Sequence, residues 1–512
     1  MTETTEKLFT ETASAYRMVP YVRTFFTDTL TPIEIFRKLE RDAVFILESK
    51  DEASPWSRYS FIGLTPNYRI TELNGEYSFV DKDNNPIKQS SSLASIFDEA
   101  ISWLHPATPE VQVPFKGGAV GVVSYDAVER FEPKLSSIQN ENTEELVHLI
   151  FCETLIALDH ESKELTFIHY SDQEESTVAD RYAKAKDLVS SCMTALTNGV
   201  KKDAFLSPMQ PGTSIDFTAV KSNYEKQQFM DDVNKIKDYI RDGDIFQAVL
   251  SQRFERKITV SAFDIYRVLR MVNPSPYMFY LKVGTKEVVG SSPERLVQVQ
   301  DGHMEIHPIA GTRKRGATIE EDQALMEDLL QDDKERAEHY MLVDLARNDV
   351  GRVAEYGSVE TPVLLEIGKF SHVMHIISKV TGKISDQTKA VDALQASFPA
   401  GTVSGAPKIR AMEILKELEP DKRGMYAGAV CYMGFDGNLD SCIAIRTMII
   451  EEGKAKIQAG AGIVADSVPE NEYEETRNKA AALIKAVETA EQMFSRDEEE
   501  KRIDKEHSRQ MY

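Results

Sequence analysis

Cysteine is scarce in this chain: 4 among 512 residues, Cys152, Cys192, Cys431 and Cys442, with no CxxC spacing. That excludes a disulfide-stapled fold and a ribbon-type zinc site, and the thiols are expected to be reduced and mostly buried. None sits in a Gly-flanked nucleophile turn, so thiol catalysis is not expected. Basic charge is also short. Lys plus Arg number 60 against 83 Asp plus Glu, a formal charge of −23. This is the wrong sign for binding phosphate backbones by counterion release, which sets nucleic acid aside as a partner. No apolar run approaches the ~20 residues needed to span a bilayer, and the opening MTETTEKLFT lacks the basic-then-apolar order of a secretion signal. A cytoplasmic protein is expected. P-loop and dinucleotide-binding glycine patterns are missing too, which disfavours nucleotide cofactors.

What is present is an ordinary globular mix, 42% hydrophobic and 28% charged, so most of the chain should fold. Thr31, Pro32 and Glu34 make a helix start, with Ile33, Phe36 and Leu39 on one face. Runs at 44–48, 58–63, 117–124 and 151–158 read as strands, and 178–196 as helix. Periodicity fades after Asn198 while Gly199, Pro208, Pro211 and Gly212 accumulate, which predicts an N-terminal region 1–200 and a linker 201–222. A second unit, 223–490, opens with a capping box at Ser222 and Glu225, a helical face of Phe229, Val233, Ile236 and Ile240, and Gly243 as the stop. Residues 245–254 then read as a strand with Ile245, Gln247 and Val249 on one face. Asp301-Gly302 and Asp436-Gly437 read as hairpin turns. Helices do not alternate regularly with strands, so the expected class is α+β with antiparallel pairing. The tail 491–512 is charged and expected to be solvated or frayed.

Four acids stand three apart on two helical stretches: Glu335 and Glu338, and Glu472 and Glu475. Each pair faces one way, and two such faces could converge on a hard cation such as Mg²⁺. Spacing alone favours the commoner alternative, a solvated helix face, and leaves the metal site open. Glycine-rich segments at 310–312, 399–408 and 458–464 allow backbone amides to approach an anion, or simply allow tight sheet packing. His375 lies among apolar residues, where a structural histidine is common. Arg446 lies inside an apolar run read as one strand, and if buried it needs a carboxylate from a neighbour or a ligand.

The motifs PSPYMFY (274–280), GSSPERL (290–296), HPIAGTRKRG (307–316), ERAEHYMLVDLARNDVGRV (335–353), FPAGTVSGAPKIRAM (398–412) and QAGAGIVADSVPENEYEETRNKA (458–480) closely resemble those of the chorismate-utilising enzymes. ILES (46–49) and WSRYSFIG (56–63) match as well. Within the family the resemblance is to the bacterial large subunits that form anthranilate, and it runs from about residue 20 to about 490. It implies two antiparallel sheets packed together with helices outside, a regulatory N-terminal region and a chorismate-binding catalytic domain.

The resemblance also implies roles. Glu338 and Glu475 would ligate Mg²⁺, with Glu335 and Glu472 acting through its waters. Gly311, Thr312, Tyr426, Arg446, Gly460, Ala461 and Gly462 would bind chorismate. Glu294 would protonate the departing hydroxyl, and His375 would serve pyruvate elimination. Ser49, Pro276, Tyr277 and Met278 would line a site for inhibition by tryptophan. Ammonia would come from glutamine through a separate glutamine amidotransferase subunit, because no Cys-His-Glu triad fits this chain, and the assembly implied is a heterotetramer of two large and two small subunits. Two positions speak against sister activities. Ala310 stands where aminodeoxychorismate synthases typically carry a nucleophilic lysine. Gln247 stands where isochorismate and salicylate synthases typically carry a lysine base, a role an amide cannot fill. A sensor that keeps the fold but has lost catalysis would show erosion among the acids or Arg446, and none is seen.

Overall fold

Along the strand Tyr277–Val283 the side chains divide between two cores: Met278 and Tyr280 face one, Phe279 and Leu281 the other. This period-2 division recurs wherever a sheet is covered on both faces. The first core packs helices against a sheet, with Phe36 of the helix Pro32–Lys38, Leu269 of Ala262–Val272 and Leu483 of Pro469–Gln510 among its members. The second joins that sheet to another, bringing Phe45, Phe61 and Phe279 together with Val120, Val297 and Val430. Each large apolar side chain so buried contributes about 1.5–3 kcal/mol.

The computed structural model describes residues 3–50, 55–136, 144–173, 176–198, 215, 217–369 and 373–510. All pairing between its strands is antiparallel. One sheet runs Val19–Phe26, Glu164–Ser171, Val147–Asp159, Tyr59–Leu73, Ala43–Glu48, Tyr277–Val283, Lys286–Ser292, Thr447–Glu451, Lys454–Ile463, Gln247–Lys257. The other runs Pro86–Ser90, Glu76–Asp81, Tyr59–Leu73, Val147–Asp159, Gly118–Val123, Ala429–Gly434, Leu439–Ile443, Arg295–Gln300, His303–Ile306, Val373–Lys383, with Ile309–Lys314 and Glu360–Lys369 on the last strand. Two long strands belong to both. Tyr59–Leu73 bends where its register shifts between Pro66 and Tyr68, next to Thr65 at φ 51°, the local irregularity that lets a strand change sheets. The fold is thus the α+β arrangement of two antiparallel sheets with helices outside.

Residues on either side of the expected linker share these sheets: Met278 pairs with Glu48, and Gly434 with Gly118. Most of that linker, 201–214 and 216, lies outside the described residues. Local signals translate well at Thr31, whose hydroxyl accepts from the Glu34 amide at 3.2 Å. Asp301 (φ 49°) and Gly302 (φ 76°) turn one hairpin, as their sequence demands. Three expectations need correction. The helix Lys226–Arg241 is capped at Glu225 with no side-chain cap bond, while Ser222 belongs to a short strand and accepts from the Tyr224 amide at 3.0 Å. The backbone of the tail is helical to Gln510, which sets aside the frayed alternative of the two expected, solvated or frayed. Arg446 lies between two strands, Leu439–Ile443 and Thr447–Glu451, and its φ of 49° breaks the apolar run.

Candidate active site

The acidic pairs sit on two helices docked on different sheets. Asp333–Gly351 starts at Asp332, whose carboxylate accepts from the amides of Lys334 and Glu335 at 3.0 and 3.1 Å. It is fixed to the strand Val373–Lys383 by buried Val343 and Val350 and by His339, whose Nε2 lies 2.7 Å from the Ser378 hydroxyl. Burial holds His339 down to about 4, so it is neutral. Pro469–Gln510 is fixed by Ala480, Leu483 and Val487 and by the Thr476 hydroxyl, which accepts from Gln252 at 2.6 Å. Glu335, Glu338 and Glu472 are half-buried and Glu475 is exposed. The helices bring the two pairs together. Glu338 is raised above the usual carboxylate range by burial and then by the charges of Glu335 and Glu475. Glu472 is raised by burial and by Glu475. Arg313 lies 3.6 Å from Glu335 and Lys479 2.7 Å from Glu475, so the repulsion is only partly offset.

Such a set of oxygen donors under mutual repulsion fits a hard divalent cation. Among the described residues no group of three acids, histidines or cysteines is arranged to hold an ion by protein ligands alone. A metal here needs further oxygens from water or substrate, which is the ordinary coordination habit of Mg²⁺.

Gly311 ties this cluster to His375. With φ at +67°, it stands where a Cβ would meet Leu329 Cδ1 at 3.0 Å and Glu335 Oε2 at 3.2 Å. Its carbonyl lies 2.8 Å from His375 Nδ1, and the Thr312 hydroxyl lies 3.2 Å from the same nitrogen. A carbonyl can only accept, so Nδ1 carries the proton and Nε2 is the basic nitrogen of the neutral ring.

Glu294 follows the strand Lys286–Ser292 and is half-buried. Burial raises its carboxyl to about 7, against a smaller downward pull from the Thr402 hydroxyl, which donates at 2.8 Å, and from the Lys479 charge. A carboxyl held there can donate a proton near neutral pH.

The third part of the site is a free sheet edge. Thr447–Glu451 pairs with Lys454–Ile463 only as far as Met448 opposite Ile457, so from Gln458 on that edge has no strand neighbour among the described residues, while the other edge stays paired to Gln247–Lys257. Gly460 presents its carbonyl to Lys479 Nζ at 2.9 Å and its amide to the Tyr426 hydroxyl. A Cβ on Gly460 would stand 2.7 Å from Tyr426 Oη, and one on Gly462 2.6 Å from Gln247 Nε2, so only glycine lets these groups close up. Ala461 turns away into a core with Ile463. Burial pushes Tyr426 up to about 12. Arg446 is half-buried beside Tyr426; burial lowers its pKa, and no carboxylate pairs with it among the described residues. An arginine so placed can receive an anionic ligand.

Ser49, Pro276, Tyr277 and Met278 come together where Ala43–Glu48 pairs with Tyr277–Val283. Met278 pairs with Glu48, and the Lys50 amide donates to the Ser275 carbonyl at 3.1 Å, so Ser49 stands across from Tyr277. Buried Glu48 is held by Arg270 at 2.8 Å and the Tyr266 hydroxyl at 2.5 Å. The Tyr277 hydroxyl donates to Asp440 at 3.0 Å and accepts from Arg295 Nε at 2.7 Å.

Sequence reasoning missed Thr402 and Lys479. Thr402 lies inside a motif read only for its glycines, and Lys479 stands four residues after Glu475, a helix-surface spacing that reads as an ordinary ion pair. The cysteines are all free; burial raises Cys431 to about 12 and Cys192 to about 11, as befits inert thiols. No helix among the described residues is long and apolar enough to cross a membrane.

Residues 43–485 match the model of the chorismate binding enzyme family. The chain is 52% identical over 503 residues to "Anthranilate synthase component 1" of Bacillus subtilis (strain 168), covering 96% of each, and 50% identical over 497 residues to that of Bacillus pumilus, again covering 96% of each. Among solved structures it resembles anthranilate synthase component I from Streptococcus pneumoniae TIGR4, with TM-score 0.72, 36% identity and coverage of 90% of this chain and 98% of that one. The menaquinone-specific isochorismate synthase from Escherichia coli shares the fold at TM-score 0.66 and 19% identity, covering 94% and 98%. The chain therefore belongs to the chorismate binding enzyme family, a chorismate-utilising lyase among the anthranilate synthase large subunits.

Proposed function

We propose that the chain converts chorismate and ammonia to anthranilate and pyruvate, with Mg²⁺ as cofactor, and that this serves tryptophan biosynthesis. The carrying observation is Glu294: a carboxyl raised to about 7 by burial, within reach of the charge of Lys479, which itself pairs with Glu475 of the glutamate cluster. Glu338 and Glu475 would hold the metal, with Glu335 and Glu472 acting through its waters. Bound Mg²⁺ supplies the positive charge that lets the ring carboxylate of chorismate approach these acids. Arg446, Tyr426 and the amides of the Gly460–Gly462 edge receive the other carboxylate, while Gly311 and Thr312 line the remaining side.

Ammonia adds at C2 of chorismate as the ring double bonds shift and the C4 hydroxyl departs as water, taking the proton of Glu294. The C2 proton is then lost to a base as the C3–O bond breaks and the ring becomes aromatic, and the departing enolpyruvate takes up a proton at its CH2 carbon to become pyruvate. His375 is suited to this second step because the Gly311 carbonyl fixes its tautomer. Gln247, packed against Gly462, cannot generate hydroxide from water, which supports amination over hydration.

The nucleophile reaches the chain as ammonia made from glutamine by a separate amidotransferase subunit, in a heterotetramer of two large and two small chains. Tryptophan binds at Ser49, Pro276, Tyr277 and Met278 and inhibits. Residues 1–200 form the regulatory region and 223–490 the catalytic one. Incubation with chorismate, Mg²⁺ and ammonium, followed by chromatography, tests the reaction: anthranilate and pyruvate support it, and isochorismate, salicylate or aminodeoxychorismate as the product would overturn it.

A further inference from the structure

Arg295, the residue after Glu294, is the hub of a largely buried ionic network with only 13% of its side chain exposed. Its Nε donates to the Tyr277 hydroxyl at 2.7 Å, its guanidinium pairs with Glu305, and Asp440 lies 3.8 Å away. Tyr277 closes the loop by donating to Asp440. Glu305 also pairs with Lys379 and lies 3.0 Å from His307. Burial alone would raise Glu305, but the hydrogen bonds from His307 and Lys379 and the nearby positive charges hold it near 2, so it is a fixed anion. Five strands meet here: Tyr277–Val283, Arg295–Gln300, His303–Ile306, Val373–Lys383 and Leu439–Ile443.

The placement of its ends is what distinguishes this network from a plain register lock, the ordinary use of buried ion pairs. One end is Tyr277, opposite Ser49. A second is the peptide joining Arg295 to Glu294. The third is Lys379, four residues along the strand from His375 and so on the same face. A ligand that displaces the Tyr277 hydroxyl takes a partner from Arg295. A buried guanidinium must then re-pair, because leaving it unsatisfied costs more than moving it.

We propose that Arg295 and Lys379, joined through Glu305, are positioning residues that relay occupancy at Tyr277 to Glu294 and His375. The proposal rests on reading Ser49 and Pro276–Met278 as an inhibitor site for tryptophan. Reciprocity then requires that chorismate weaken tryptophan binding by the factor with which tryptophan weakens chorismate binding.

Lys379→Met and Glu305→Gln break the relay without touching either proposed pocket, and Lys379→Arg keeps the cation. Titration calorimetry with L-tryptophan on the full chain in Mg²⁺, with and without chorismate and with ammonium left out so that no amination occurs, is set beside inhibition of ammonium-dependent turnover. Circular dichroism verifies folding. In Lys379→Met and Glu305→Gln, tryptophan binding without chorismate should stay within about 3-fold of wild type, while half-inhibition shifts upward about 10-fold and chorismate no longer weakens tryptophan binding. Lys379→Arg should behave as wild type. Unchanged inhibition in both broken variants, or loss of binding and inhibition by the same factor, would overturn the relay. A wild-type chain that binds no tryptophan would instead remove the inhibitor site itself, and the relay with it.

Discussion

Thr402 Oγ1 donates to Glu294 Oε1 at 2.8 Å across 108 residues of sequence. The bond favours the carboxylate, yet burial outweighs it and leaves the group near 7. Below that pH Glu294 holds the proton that the leaving hydroxyl needs, and above it the proton is lost. With free ammonia held constant, we predict that kcat/KM for chorismate falls as pH rises through about 7. Glu294→Gln should lower kcat by about 10²–10⁴-fold and abolish that limb. The limb surviving in the glutamine variant would assign it to another group. The raised value also means that wild-type stability declines as pH rises from the ordinary carboxylate range to about 7 and then levels off, so unfolding midpoints measured from pH 4 to 9 should fall less over that window in the variant.

The two halves of the reaction should separate at His375. His375→Met keeps apolar bulk but removes the imidazole held by Gly311, so chorismate is consumed and aminodeoxyisochorismate accumulates. Glu338→Gln should slow both halves together. Product chromatography after a timed incubation decides. Parallel loss of chorismate consumption and anthranilate formation in a folded His375→Met protein would contradict a separate role.

Gly311→Ala should damage both stability and activity. Its φ of +67° costs an L-residue about 1–2 kcal/mol, and the added methyl would push on Leu329 and Glu335, next to the carbonyl that orients His375. Urea unfolding and steady-state kinetics measure the two effects. A wild-type midpoint with wild-type kcat would show that this backbone is not needed.

Metal dependence follows from the acidic cluster. Chelation should abolish turnover and Mg²⁺ restore it, and Glu475→Gln should raise the Mg²⁺ concentration for half-activation about 10-fold or more. Full activity in chelator would remove the metal from the account.

Ser49→Phe places a bulky ring against Tyr277 and should weaken inhibition by tryptophan while sparing catalysis, since Glu335, Glu338, Glu472 and Glu475 stand on other elements. An inhibition curve identical to wild type would move the regulatory site.

The sequence carried the acids because three-residue spacing on a helix is a local property. That Glu338 and Glu475 face each other is not local. It depends on docking through His339–Ser378 and Thr476–Gln252, pairings that spacing does not encode. Arg446 read as a residue within a strand because its neighbours are apolar, and only its positive φ reveals the break. Thr402 reaches Glu294 through a loop read for its glycines. Tyr277 and Met278 alternate like any core strand, so only resemblance marked them. The fold class was legible from turn residues such as Asp301-Gly302, whereas the two strands that cross between sheets were hidden, since a bulge near Pro66 leaves the apolar pattern almost intact.

The most direct measurement is anthranilate fluorescence from the purified chain with chorismate and Mg²⁺ at alkaline pH, supplied first with ammonium and then with glutamine. The account predicts a signal with ammonium and none with glutamine until an amidotransferase subunit is added. No anthranilate with ammonium, or glutamine-dependent turnover by the chain alone, would contradict it.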